Sequence, residues 1–174
     1  MMSILERLGG RLEPWDETLP DLTYHWDPET EILSGSADLV GQHGLTGSIE
    51  LEDDRGAVVT LDFAEGVLRG IEVVVWPSVQ SRDGLTVPDV DAAARLVVPQ
   101  RLSQPGVAVV EIEVRVEAET CSDESIVHLR VGGGRPARTV RLAGNLLADL
   151  DRSGELAGFW LLDVPAFPTA REVD

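Results

Sequence analysis

The feature that most constrains this chain is a strict two-residue alternation through residues 110–119. Val110, Ile112, Val114, Val116 and Ala118 take one side, and Glu111, Glu113, Arg115, Glu117 and Glu119 take the other. An amphipathic helix repeats its apolar residues every third or fourth position, whereas a half-buried strand repeats every second. The run therefore reads as a strand with one core face and one wet face. After the turn-like Cys121-Ser122-Asp123-Glu124 a second alternating run, residues 125–131, sets Val127, Leu129 and Val131 against Ile126, His128 and Arg130. The two read as a hairpin. A tight Ser122-Asp123 loop would place Val116 opposite Leu129 and Glu117 opposite His128, and a one-residue slip is excluded because it would turn one apolar set to water.

The rest of the chain repeats this grammar. Further strands are predicted at 23–26, 31–34, 47–52, 57–63, 67–76, 137–143, 146–151 and 155–164, separated by Asp-Pro, Asp-Asp-Arg-Gly, Glu-Gly and Ser-Gly turns. Helix is confined to two short stretches, residues 3–8 and residues 89–96, the latter behind an Asp89 or Asp91 cap. The predicted class is all-β.

Gly56, Gly66, Gly70 and Pro77 each recur 88 positions later, as Gly144, Gly154, Gly158 and Pro165. Strand, acidic turn and strand likewise recur upstream of each set. We read two β repeats, residues 21–79 and 107–168, preceded by an N-terminal segment 1–20 and joined by a crossover linker 80–106 with a short helix. A tail follows at 169–174. One copy of about 60 residues buries too little alone and leaves its edges open. Two copies are expected to cover each other as a pseudo-symmetric antiparallel sandwich or partly open barrel.

The second copy carries a family resemblance. Residues 123–131 (DESIVHLRV), 137–142 (ARTVRL), 147–158 (LADLDRSGELAG) and 159–164 (FWLLDV) resemble the small bacterial family known as domain of unknown function 2283. The match covers residues 115–165, and the first copy fits more loosely because of its longer insert 35–46. The resemblance implies a short β-rich bacterial module and no settled activity.

Asp and Glu number 31 against 14 arginines and no lysine, a net charge of −17. Such a surface repels phosphate, which argues against nucleic-acid partners and anionic membranes and suits a basic protein partner. No apolar run approaches the roughly 20 residues that cross a bilayer, and the N-terminus lacks the pattern of a signal peptide. The single Cys121 fits a reducing compartment. A cytoplasmic location is expected.

Chemistry-bearing motifs are few. Asp149-x-Asp151-x-Ser153-Gly154 resembles the opening of a calcium loop, but Trp160 occupies the position where a bidentate Glu belongs, so metal is not favoured. His25, His43 and His128 lie in separate segments and Cys121 has no cysteine partner, which argues against zinc. The Gly132-Gly-Gly-Arg-Pro loop lacks the lysine and helix of a phosphate loop. No catalytic residue and no cofactor is expected. As interaction candidates we single out the wet-face Glu111, Glu113, Glu117 and Glu119, together with His128, Trp76 and Trp160; the two tryptophans close the same strand of each repeat. The expected function is a non-enzymatic protein-interaction or binding module. The alternatives are a small-molecule-binding protein or enzyme with a cleft between the repeats, and a self-associating protein such as a homodimer.

Overall fold

In the computed structural model of the protein, residues 3–99 and 107–168 are described. The predicted tail 169–174 and part of the linker, residues 100–106, lie outside them. The chain is 48% strand and 3% helix, one curled mixed sheet forming a half-barrel. The all-β expectation holds.

A short helix α1 (Ile4–Leu8) is followed by β1 (Arg11–Pro14), β2 (Thr23–Trp26), β3 (Leu33–Ser36), β4 (Thr46–Glu52), β5 (Val58–Ala64), β6 (Val67–Val75) and β7 (Val79–Ser81). The chain continues through β8 (Ala92–Val97), β9 (Val107–Glu113), β10 (Val116–Thr120), β11 (Val127–Val131), β12 (Arg138–Ala143), β13 (Leu146–Leu150) and β14 (Leu156–Leu161). The first half pairs its strands antiparallel in the order β2-β3-β6-β5-β4. The second half runs β10-β11-β14-β13-β12, also antiparallel. In each half a glycine of the last strand faces an aspartate beside a register irregularity, Gly70 with Asp62 and Gly158 with Asp149. Three parallel pairings, β4 with β9, β7 with β10 and β8 with β12, make the sheet mixed where only antiparallel pairing was expected.

Three expectations are corrected. Residues 89–96 do not form a helix: most of them belong to β8, which pairs with β1, β6 and β12. Its alanines favour helix, but Ala94, Leu96 and Val98 are buried while Ala93, Arg95 and Val97 are only half-buried, and that period-two burial against two sheet edges overrides local propensity. Residues 110–119 are two strands, not one. β9 lies along β4, and the chain then turns at Val114 and Arg115 to enter the second half as β10. Buried Asp53 holds this corner by accepting the Val116 N–H at 2.7 Å. The hairpin register is shifted by two residues, Val116 opposite Val131 and Glu119 opposite His128. The loop is longer than predicted because Cys121 N–H still pairs with Ile126 O and Asp123 caps the turn by accepting from the Ser125 N–H and hydroxyl. A two-residue shift keeps every side chain on its predicted face.

The inner faces of both halves share one core. Val116, Val127, Leu129 and Val131 meet Ile49, Leu51, Val59, Leu61 and Phe63 in a single apolar cluster that Ile4, Leu5 and Leu8 of α1 also join. Each such side chain contributes about 1.5–3 kcal/mol on burial. Two polar braces fasten the first residues of the described chain to the second half: Asn145 pairs with the N–H and C=O of Leu22, and Glu155 accepts the Leu5 N–H at 2.6 Å.

Candidate functional site

The outward face of the first half is wet, with Glu50, Thr60, Asp62 and Glu72 at least partly exposed. The same face of the second half is covered. Residues 82–91 leave β7 at one edge, where Arg82 N–H donates to Thr120 O, and reach β8 at the other, where Asp91 N–H donates to Thr139 O. This strap joins the two edges that flank β11, β14 and β13. Its Leu85, Val87, Pro88 and Val90 are half-buried.

On that covered face the fold assembles a polar chain from five strands and the strap. His128 Nδ1 lies 2.8 Å from Glu119 Oε1, and its Nε2 lies 2.8 Å from Asp149 Oδ2. Thr139 Oγ1 donates to Asp149 Oδ1 at 2.9 Å, and Trp160 Nε1 donates to both oxygens of that carboxylate at 3.1 Å. Arg82 Nη1 donates to Glu119 Oε2 at 2.9 Å. The imidazole stacks on Trp160 with ring centroids 3.9 Å apart. His128 and Asp149 sit on β11 and β13, with β14 between them. Their bond passes over Gly158, where a Cβ would come within 3.4 Å of the imidazole and 2.5 Å of Leu129 O. A glycine is required there by close approach.

His128, Glu119 and Asp149 are each under 10% exposed. Burial pushes the Glu119 carboxyl up, but hydrogen bonds from Arg82 and His128 outweigh it and hold it below the usual carboxylate range. Both ring nitrogens are engaged by carboxylates, Nδ1 by Glu119 and Nε2 by Asp149, so the imidazole ties β10 to β13 across the covered face.

The predicted site residues separate accordingly. Glu119 is buried in the network, contrary to its expected place on a solvated face, because the strap covers that end of β10. Glu117, expected opposite His128, instead faces Arg130 on the surface at 2.7 Å. Trp76 and Trp160 do not form a matched pair. Trp160 lies beside His128, whereas Trp76 stacks on Trp26 at 5.7 Å and donates to Glu31 O. The first-half residue between two neighbours in the manner of Trp160 is Glu72, flanked by Ser34 and Thr60. Asp149 belongs to the network, while Asp151 caps its own turn by accepting from Ser153 and Glu155. Among the described residues no group of three or more His, Cys, Asp or Glu is arranged to hold a metal. The Cys121 thiol donates a hydrogen bond to Asp123 Oδ1 at 2.9 Å. Arg82 and Thr139 were not singled out from the sequence, since nothing local marks a strap residue or an outward threonine as partners of a distant carboxylate.

Glu111 and Glu113 keep their predicted exposure. Parallel pairing sets Glu50 opposite Glu111 and Glu52 opposite Glu113. Among the described residues none of the four is ion-paired, and no strand pairs with the far side of β9. At one end of the seam between the halves lies a cleft of about 960 Å3, bounded by α1, the β4–β5 turn, the Val114–Arg115 corner and the Gly132–Gly134 loop.

No known protein-family model matches the chain, and no curated protein is detectably similar to it.

Proposed function

We propose that this chain is a non-enzymatic binding module whose docking surface is the acidic outer face of the first half, with the open edge of β9, and whose partner is a basic, extended segment of another protein. The observation that carries this reading is the like-charge register of β4 and β9. Like charges directly opposite each other across strands cost stability, and a face that needed only solvation gains nothing from stacking Glu50 on Glu111 and Glu52 on Glu113. A strand added along β9 satisfies the free backbone groups of the edge, and its basic side chains meet the carboxylates. A second copy of this chain fits the edge less well, because its own β9 carries the same glutamates.

The reading places the protein in the cytoplasm, where the lone Cys121 stays reduced. Among the described residues no helix is long and apolar enough to cross a membrane. The same strand order in the two halves supports an origin by duplication, and the resemblance of the second copy supports a bacterial source.

Calorimetric titration with an alternating arginine–valine peptide tests the proposal. Saturable binding that weakens with salt and is reduced in the double variant E50Q/E111Q is expected. N-methylation of alternate peptide amides should abolish binding. Equal binding of a glutamate–valine peptide, or no binding by either, would overturn it.

A further inference from the structure

The seam cleft borders the acidic face, shares Glu113 with it, and has its own chemistry. Its volume of about 960 Å3 lies at the upper end of the roughly 300–1,000 Å3 typical of small-ligand sites. The walls contributed by Ile4, Ile112 and Leu156 are apolar. Several of the lining charges are already committed. Arg55 is held by Asp53, Glu155 accepts the Leu5 N–H, and Asp151 caps its turn. Four remain. Arg7 and Arg115 of one sign and Asp54 and Glu113 of the other line the cleft, and among the described residues none of them forms an ion pair.

We infer that this cleft binds a short apolar peptide with both termini free, its carboxylate on Arg7 and Arg115 and its ammonium on Asp54 and Glu113. A simple anion would meet two uncommitted carboxylates, and a simple cation two uncommitted guanidiniums. A zwitterion with an apolar body satisfies both signs and covers the apolar wall. Arginine suits the carboxylate end because its planar fork binds two oxygens at once.

The test is an NMR titration of the full chain with trileucine, its N-acetyl form and its C-terminal amide, following the amides of Arg115, Gly133 and Gly134. Trileucine should give saturable shifts, and capping either end should weaken binding about tenfold, the worth of one charge-assisted hydrogen bond. In R115Q the free acid and the amide should bind alike, and in E113Q the free amine and the acetyl form should bind alike. These side chains are exposed, so the variants retain the fold, and R7Q provides an independent check on the carboxylate end. No saturable shift, or three forms that bind equally to the unaltered chain, would overturn the inference.

Discussion

Asp149 shows how far one buried side chain can organise its surroundings. Its two oxygens accept from Thr139 and Trp160, and one of them lies 2.8 Å from His128 Nε2, so Asp149→Ala leaves buried donors without an acceptor. An unsatisfied buried donor costs about 1–3 kcal/mol, and denaturant unfolding followed by tryptophan fluorescence should show a loss of at least that size. Gly158→Ala should be destabilising by about 1–3 kcal/mol, since the added carbon meets the Leu129 carbonyl and the backbone must move. Gly133→Ala, with nothing within 4 Å of its Cβ, should leave the midpoint unchanged. Glu119 adds a pH signature. Its folded-state carboxyl lies below the ordinary value, so its contribution is fully present above the unfolded-state pKa and disappears as pH falls through the folded one. Stability measured from pH 7 downward should decline over that acid range, and Glu119→Gln should flatten this part of the curve.

At the scale of elements, the strap and the corner are the parts that the chain holds least redundantly. Among the described residues the strap 82–91 has few backbone partners, Arg82 to Thr120 and Asp91 to Thr139 at the ends and Leu85 to Arg82 within. Their amides should exchange with deuterium well before those of β13 and β14, whose residues are almost all buried. Asp53 works at the corner. Beside Arg55 and under the Val116 and Arg55 N–H groups its carboxyl is held far below the ordinary range. Asp53→Ala leaves the buried Val116 N–H unsatisfied and should cost about 1–3 kcal/mol by denaturant titration. The corner also explains why one alternating run becomes two strands. Residues 110–119 alternate without interruption, so nothing in their pattern marks the break at Val114–Arg115. The break exists because β4 takes one part of the run as a neighbour and β11 takes the other. β8 departs from its local propensity for a related reason, its alanines being helix formers that two sheet edges hold extended.

For the whole molecule, the charge of −17 is unevenly used. Part of it is internal, in Asp149, Glu119 and Asp53, where it fastens strands and the corner. Another part lines the β9 edge, where it keeps an open sheet from pairing with its own kind. Neutralising Glu50 and Glu111 together should therefore raise the tendency to self-associate, read as a rise in mass by light scattering at high protein concentration. The unaltered chain should stay monomeric under the same conditions.

The sequence by itself determined the all-β class, the inward and outward sides of most residues in the runs 110–119 and 125–131, and the turns that separate many of the strands. These are local consequences of alternation and of Gly, Pro and Asp chemistry, which any sheet built from this chain must respect. Only the tertiary structure decided that Glu119 is buried and Glu117 is not, that His128 is clamped between two carboxylates across Gly158, and that four uncommitted charges meet at the seam. The physical reason is that these depend on which edges meet and what the strap covers. A two-residue register shift changes every partner while leaving every face as it was, so alternation is blind to it.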